Sequence, residues 1–244
     1  MHIDHFFFRL YRVADGVEEF IGSGFPVTED GGLLTCKHVA EAVKAPGELY
    51  VHHNVTGWKI QAREVRTSRN RNLDMAFIPQ ALGRGIRSYV PLLPPRKALV
   101  GVPIHSYGFF AAGGPKVTIE QGFFAGHIVN LLKTEDKPPA WLITLPYPVI
   151  EGMSGSAVLT EVNGPKLVGL AFGNQSARIL ASEVVEYQDK EKTLHEAVYR
   201  IVEFGRAYHV STVIEFLDEV NALGYRVTED FVPMPGMIPP PGVG

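Results

Sequence analysis

Cysteine is almost absent from this chain. Cys36 is the one thiol among 244 residues, so no internal disulfide can form. The disulfide frameworks of small secreted domains are therefore excluded, and the composition fits a reducing compartment. Long apolar runs are missing too, because no stretch approaches the roughly 20 residues that cross a bilayer. The net charge of -3 gives no electrostatic reason to expect a nucleic-acid partner.

The beginning of the chain lacks the pattern of a secretory signal. Asp4 precedes a short run of three phenylalanines that Arg9 ends, with no basic segment before it and no small-residue cleavage site after it. We therefore expect a cytoplasmic protein with neither a membrane nor a nucleic acid as partner.

The histidines do not follow metal-ligand spacing. The pairs His2 with His5 and His52 with His53 come with no cluster of cysteines or carboxylates. We expect these side chains to be solvated, and we predict neither a metal ion nor another cofactor.

Hydrophobic residues make up 45% of the chain and charged residues 20%, which is ordinary globular composition. The length suffices for one large all-β domain or two small subdomains that share a cleft. Six short strands with regular turn signals and no helical period are predicted within residues 6–78, one of them a half-buried strand over the alternating residues 58–65, which indicates a small barrel over residues 1–90.

A proline-rich connection divides the chain. Pro91, Pro94 and Pro95 predict a stiff extended link over residues 91–101, and a second β-rich half follows over residues 102–210. Within that half, strands are predicted at residues 166–173 and 198–209, with a charged surface loop at 189–192.

One helix is predicted, over residues 211–224. Thr212 and Glu215 have the spacing of a capping box, and Gly224 is a suitable stop. The remaining tail, residues 225–244, is rich in proline, and we expect disorder from about residue 233.

The stretch Glu151-Gly152-Met153-Ser154-Gly155-Ser156-Ala157-Val158 carries the strongest chemical signal. Glycines on both sides of Ser154 allow backbone N–H groups to converge beside its hydroxyl, as acyl transfer requires. An ordinary tight turn is the alternative. Two further residues favour the chemical interpretation, because His38 ends an apolar strand and Asp74 precedes another. The order His, Asp, Ser is that of the chymotrypsin-type triad.

Two other nucleophile arrangements fit less well. Cys36 lies two residues before His38 but has no flanking glycines, and is better explained as a small buried residue. The nucleophile elbow of α/β-hydrolases needs glycine where this chain has Ser156, and it needs helices between parallel strands.

Three separated motifs resemble the trypsin/chymotrypsin-like serine peptidases, over roughly residues 6–222. They are Gly22-Ser23-Gly24-Phe25 followed by Leu34-Thr35-Cys36-Lys37-His38-Val39, then Asp74-Met75-Ala76-Phe77, then Gly152-Met153-Ser154-Gly155-Ser156-Ala157. In its short loops and its lack of disulfides the chain resembles the bacterial HtrA-type branch more than the secreted digestive enzymes. The resemblance implies an all-β fold of two six-stranded antiparallel β-barrels with a C-terminal α-helix.

The resemblance also implies roles for individual residues. His38, Asp74 and Ser154 would form the catalytic triad, and the backbone N–H groups of Gly152 and Ser154 the oxyanion hole. Substrate-binding residues would be Pro148 and Val149 at the floor of an uncharged specificity pocket, with the backbone of Ala171, Phe172 and Gly173 pairing with the substrate as an added strand.

Met153 departs from the family pattern, which has Asp or Asn at this position. Secreted members pair that Asp with a new N-terminus, so we predict no such zymogen cleavage here. Ser156-Ala157 also stands where Gly-Pro is commoner, a tolerable change because both residues are small.

Two functions are consistent with these residues. The first is an intracellular trypsin-like serine endopeptidase that cleaves a protein or peptide substrate through an acyl-enzyme. The alternative is a catalytically silent double barrel that binds a peptide or protein, or a protease held inactive until a partner orders the serine loop. An endopeptidase without a propeptide needs control, so we expect a regulatory partner protein.

Overall fold

The computed structural model describes residues 6–43, 48–53, 56–57, 59–82, 89–112, 118–161, 164–188 and 192–228, with the backbone alone over 178–188 and 192–200. The described part is mostly β-structure arranged as two antiparallel sheets of seven strands each. The strands of the first sheet are β1 (Phe8–Ala14), β2 (Val17–Pro26), β3 (Leu33–Thr35), β4 (Leu49–His53), β5 (Lys59–Gln61), β6 (Arg66–Thr67) and β7 (Ala76–Ile78).

The first sheet runs in the order β5-β4-β1-β2-β3-β7-β6. It has one strand more than predicted, because the run expected as a single strand over residues 58–65 is divided. β5 ends at Gln61 and pairs with β4, whereas β6 begins at Arg66 and pairs with β7. Between them, Ala62 is buried and its N–H donates to Leu49 O, so the chain leaves the first pairing before it starts the second.

The second sheet runs in the order β10-β11-β14-β13-β12-β8-β9. Its strands are β8 (Pro103–Ala112), β9 (Thr118–His127), β10 (Asn130–Lys133), β11 (Trp141–Leu145), β12 (Ala157–Thr160), β13 (Lys166–Gln188) and β14 (Lys192–His209).

The hairpin of β13 and β14 is longer than the sequence predicted. We expected strands at residues 166–173 and 198–209 with a charged loop at 189–192, but pairing continues as far as Gln188 with Lys192. Residues 189–191 lie outside the described part. Alternation is weak along residues 174–188 because charged and apolar residues are mixed, so periodicity alone did not identify the extension.

Two α-helices are described, α1 (Lys37–Ala40) and α2 (Val210–Glu219), together with a 3₁₀ turn at Pro95–Lys97. The predicted bounds and cap of the C-terminal helix were wrong. α2 starts one residue earlier and ends five residues before Gly224, and its N-cap is His209, whose ring accepts from the Ser211 N–H. Thr212 is buried and its hydroxyl binds the backbone of Trp141 at both the N–H and the carbonyl.

Each sheet contributes large side chains to one continuous apolar cluster that excludes water from the interior. Phe8 and Leu10 of β1 are fully buried, and so are Leu167 and Leu170 of β13. In the described part of the chain, no helix has the length and apolarity that crossing a membrane requires. The predicted tail beyond residue 228 lies outside the described residues.

A buried histidine makes the stability of α2 depend on pH. His209 Nε2 donates to Ala98 O at 3.0 Å and Nδ1 accepts from Ser211 N at 3.1 Å, so the ring is neutral. Burial lowers its pKa, against a smaller opposing effect of the bond to Ala98. The unfolded chain therefore binds a proton below about pH 6.5 while the folded chain resists it.

We predict that the free energy of unfolding falls as the pH decreases from about 6.5. His209→Asn retains a good N-cap without a titratable ring, so it should reduce this slope in urea denaturation between pH 7 and pH 5. The control is His127→Asn, which removes a histidine from an exposed position. A slope in His209→Asn equal to that of wild type would contradict the assignment.

Candidate active site

The first half of the site is built where β3 ends and β7 begins. Thr35 pairs with Ala76, so the segments that carry His38 and Asp74 leave the sheet side by side. His38 Nδ1 lies 2.6 Å from Asp74 Oδ2, and the His38 backbone N–H donates to Asp74 Oδ1 at 2.8 Å. One carboxylate thus holds both the ring and the backbone of the histidine.

The charge on Asp74 determines where the imidazole proton sits. Burial raises the pKa of Asp74, but the hydrogen bonds from the His38 side chain and backbone lower it by more, so the net pKa is below the usual value. The carboxylate is therefore ionised at neutral pH and accepts the Nδ1 proton. This leaves a lone pair on Nε2, as a general base requires.

A tyrosine of the second sheet anchors Asp74. The Asp74 N–H donates to Tyr208 Oη at 2.9 Å, and the Tyr208 ring stacks on Phe172 with 4.3 Å between ring centroids. Burial is the main reason that the pKa of Tyr208 is raised to about 12, so the hydroxyl stays neutral. Tyr208 was not identified from the sequence, because nothing in the local pattern of β14 distinguishes it from a core residue.

The second half of the site is the serine turn, residues 150–156, between β11 and β12. Inside the turn, the Met153 N–H donates to Ile150 O and the Ser156 N–H to Met153 O, both at 2.9 Å. Gly152 and Gly155 have φ angles of +93° and +88°, which only glycine adopts without strain. The sequence prediction of a glycine-dependent turn around Ser154 agrees with this geometry.

Neighbouring strands hold the carbonyl groups of the serine turn. Ala111 N–H in β8 donates to Glu151 O at 3.2 Å. Ser23 in β2 donates from its Oγ to Gly152 O at 2.8 Å and from its N–H to Ser154 O at 2.9 Å. The carbonyl groups of residues 151, 152 and 154 are therefore all bound from outside the turn.

Two N–H groups of the turn have no hydrogen-bond acceptor among the described residues. Among the described residues, neither the Gly152 N–H nor the Ser154 N–H donates a hydrogen bond, whereas those of Met153, Gly155 and Ser156 all do. Gly152 and Ser154 are the two residues whose N–H groups the sequence resemblance assigned to an oxyanion hole. Free N–H donors at one turn are what a developing negative charge would bind.

The two halves of the site meet at β2. A Cβ placed on Gly22 would lie 3.1 Å from Ser154 O and 2.7 Å from the side chain of Val39, the residue after His38. In the described part of the chain, no hydrogen bond joins Ser154 Oγ to His38 Nε2. Bonds between nucleophile and base are often long in ligand-free structures and tighten when substrate binds.

The predicted substrate-binding residues lie beside the serine turn. Both polar backbone atoms of Ala171 are already used, because its N–H donates to Ser156 O and its carbonyl accepts from the Gly155 N–H, each at 2.9 Å. Of the three residues predicted to pair with the substrate, Phe172 and Gly173 therefore remain for pairing with an added strand. Phe172 is the extra residue of a bulge between Ala171 and Gly173.

Asn174 connects the predicted substrate-pairing segment, residues 171–173, to the predicted pocket floor. Its side chain accepts from the Val149 N–H at 2.6 Å and donates to Val149 O at 2.9 Å. These two bonds take the place of the backbone hydrogen bonds that a neighbouring strand would make with Val149. Val149 is buried, and Pro148 before it is half-buried. Asn174 was missed from the sequence, because an asparagine after a glycine is typical of a turn.

Cys36, His38 and Asp74 form a cluster whose potential metal-ligand atoms lie within 4.8 Å of one another. The Cys36 thiol donates to Ala171 O at 3.3 Å, and burial followed by the charge of Asp74 raises its pKa well above the usual value. A protonated thiol is a poor metal ligand and a poor nucleophile. The cluster is therefore explained by the packing of Cys36 behind the histidine.

The histidines His52 and His53 bind their own loop. His52 Nε2 lies 3.1 Å from Gly57 O, and His53 Nδ1 lies 2.7 Å from Thr56 Oγ1. His53 is buried rather than solvated as predicted, because its ring packs against Phe8. His2 and His5 lie outside the described residues.

Comparison with known proteins agrees with this geometry. The family model of the trypsin-like peptidase domain matches residues 22–170, more than half of the chain, and the chain belongs to this family. Among solved structures, the serine endoprotease from Yersinia pestis is similar, with a TM-score of 0.59 at 16% sequence identity. The match covers 91% of this chain and 65% of the Yersinia chain. No curated protein matches the sequence.

The predicted recognition and fold are thereby confirmed. The two sheets are the halves of a chymotrypsin-like double β-barrel, with seven strands in each sheet instead of the six predicted. The chain spans slightly less than two thirds of the Yersinia enzyme, so the likeness is one of the peptidase fold and not of a whole protein.

Close packing makes Gly155 the least replaceable residue of the turn. A Cβ there would lie 2.1 Å from Ser23 O and 2.5 Å from Thr35 Oγ1. We predict that Gly155→Ala lowers the free energy of unfolding by more than the roughly 1–2 kcal/mol of a left-handed alanine. Gly101→Ala is the matched control, because Gly101 also has a positive φ but no atom within 4 Å of the new Cβ. Equal losses in urea denaturation would argue against the collision.

Proposed function

We propose that this protein is a serine endopeptidase that hydrolyses peptide bonds through His38, Asp74 and Ser154. Ser154 Oγ attacks the scissile carbonyl while His38 Nε2 takes its proton and later returns it to the leaving amine. Asp74 holds Nδ1–H and stabilises the imidazolium without becoming protonated. Water then hydrolyses the acyl-enzyme by the same route in reverse.

The observation that carries this proposal is the pair of unused N–H groups on Gly152 and Ser154. They stand on a turn whose carbonyl groups are bound elsewhere. The same strand, β2, packs at Gly22 against both Ser154 O and Val39, the residue after a histidine that an ionised carboxylate holds. An oxyanion hole donor is typically worth about 3–4 kcal/mol of barrier.

The substrate is proposed to be a protein or peptide bound in extended form. Phe172 and Gly173 would pair with its backbone, which recognises conformation more than sequence. Pro148 and Val149 carry no charge, so an uncharged side chain is expected before the scissile bond. Cleavage only after Lys or Arg in a peptide library would contradict this specificity.

The cellular setting is also part of the proposal. We place the activity in the cytoplasm, which is supported by the single cysteine of the chain. Neither a nucleic acid nor a membrane partner is proposed, since the net charge of -3 gives no reason to expect one.

A second candidate rests on the missing hydrogen bond between Ser154 Oγ and His38 Nε2 in the described part of the chain. In this alternative the barrel binds a peptide without cleaving it, or a partner protein must bring nucleophile and base together. The two candidates differ in whether the isolated protein has a reactive Ser154, and one experiment separates them.

That experiment is labelling with a fluorescent fluorophosphonate. Ser154 Oγ would attack phosphorus, fluoride would leave, and the serine proton would pass to His38. Wild type should label, Ser154→Ala should not, and His38→Ala should label far more slowly. A folded wild type that does not label would overturn the active-enzyme proposal and favour the silent or partner-dependent form.

Asp74 supplies a further prediction. Asp74→Asn should lower the labelling rate by about 10⁴, because an amide in place of the carboxylate favours the wrong imidazole tautomer. Asp136→Asn is the matched control, since Asp136 is a partly buried aspartate whose one described hydrogen bond is accepted from the side chain of Asn72. Similar labelling rates for the two variants would remove Asp74 from the mechanism.

A further inference from the structure

Ser23 binds the serine turn through two hydrogen bonds, one from its side chain and one from its backbone. It is fully buried in β2, on the first sheet, and it faces a turn that belongs to the second sheet. The sequence motif around it predicted a strand leading to His38 and gave Ser23 no role. Its side chain, however, binds the serine turn, which is the other half of the site.

The donor and acceptor roles at Ser23 are unambiguous. A carbonyl oxygen cannot donate, so the 2.8 Å contact with Gly152 O is a bond from the Ser23 hydroxyl. A backbone N–H cannot accept, so the Phe109 N–H donates to Ser23 Oγ at 3.3 Å. The hydroxyl therefore relays a hydrogen bond from β8 to the serine turn.

The backbone of Ser23 adds two bonds to the same place. Its N–H donates to Ser154 O at 2.9 Å, and its carbonyl accepts from Thr35 Oγ1 at 2.7 Å. Thr35 is the last residue of β3 and leads into His38. One residue thus binds the serine turn on one side and the strand before the catalytic histidine on the other.

These bonds fix the peptide planes beside the two free N–H groups. Ser23 orients the carbonyls of Gly152 and Ser154, and the peptide between them carries the Ser154 N–H. Each of the two peptides that carry a free N–H is also held at its own carbonyl, because Glu151 O accepts from the Ala111 N–H and Met153 O accepts from the Ser156 N–H. The Ser23 hydroxyl anchors the Gly152–Met153 peptide, which lies between these two donor peptides and therefore sets how they are oriented relative to each other.

We propose that Ser23 is a positioning residue whose hydroxyl keeps the oxyanion hole formed. The inference rests on the proposed peptidase function, and it deepens that function by assigning the hole a support on the opposite barrel. Ser23 would touch neither the substrate nor the reacting atoms.

Ser23→Ala tests the proposal. Removing the hydroxyl leaves Gly152 O and the Phe109 N–H without their partner, and a turn that no longer favours one peptide orientation should label about tenfold more slowly with fluorophosphonate. Ser23→Cys keeps a weak donor and should give an intermediate rate. In peptide hydrolysis, kcat should fall while KM stays within about twofold of the wild-type value.

Thr28→Val is the matched control. Thr28 is also buried near the end of β2, and its hydroxyl likewise donates to an oxygen, Asp30 Oδ1 at 2.6 Å, and accepts from a backbone N–H, Gly32 at 2.7 Å. It makes no described bond to the serine turn. Thr28→Val should therefore label at the wild-type rate, and equal slowing in both variants would overturn a specific role for Ser23.

Hydrogen exchange separates this inference from the proposed function. The N–H groups of Met153 and Ser156 donate within the turn and that of Gly155 donates to Ala171 O, so exchange in a peptide covering residues 150–158 should be faster in Ser23→Ala than in Thr28→Val. This readout holds even if wild type proves unreactive. Unchanged exchange in that peptide would overturn the role of Ser23 whatever the labelling shows.

Discussion

The site depends on the contact between β2 of the first sheet and the serine turn of the second. The histidine and the aspartate lie beside strands of the first sheet and the serine beside strands of the second, so neither half holds all three residues. The bonds from Ser23 and the packing of Gly155 on its carbonyl bring the halves into one register. Tyr208 completes the contact from the other direction by binding Asp74.

The sequence predicted the parts of the site that are encoded locally. Glycines beside Ser154, an apolar strand before His38 and another after Asp74 are short-range patterns, and their order along the chain indicated the family. The same local chemistry predicted the glycine-dependent turn, because residues 152 and 155 both need positive φ.

Residues that act across the sheets could not be predicted in this way. Asn174 binds Val149, 25 positions away in the sequence, and Tyr208 binds Asp74, 134 positions away. Local periodicity carries no information about contacts between residues so far apart in the sequence. The cap of α2 was misassigned for a related reason. Thr212 had the right spacing for a capping box, but tertiary contacts with Trp141 took its hydroxyl and left the cap to His209.

Hydrogen bonding within the turn bears on how such a protein could be controlled. Five backbone carbonyls of the turn, those of residues 150–154, accept hydrogen bonds, which come from Ser23 twice and from Met153, Ala111 and Ser156. At about 1 kcal/mol each, they favour the ordered turn by about 5 kcal/mol, or more than a thousandfold. A change in the Ser154 rotamer needs much less free energy, because a rotation about one side-chain bond costs little by comparison. A partner that controls this protein would therefore act more readily on the serine rotamer or on access to the site than on the order of the turn.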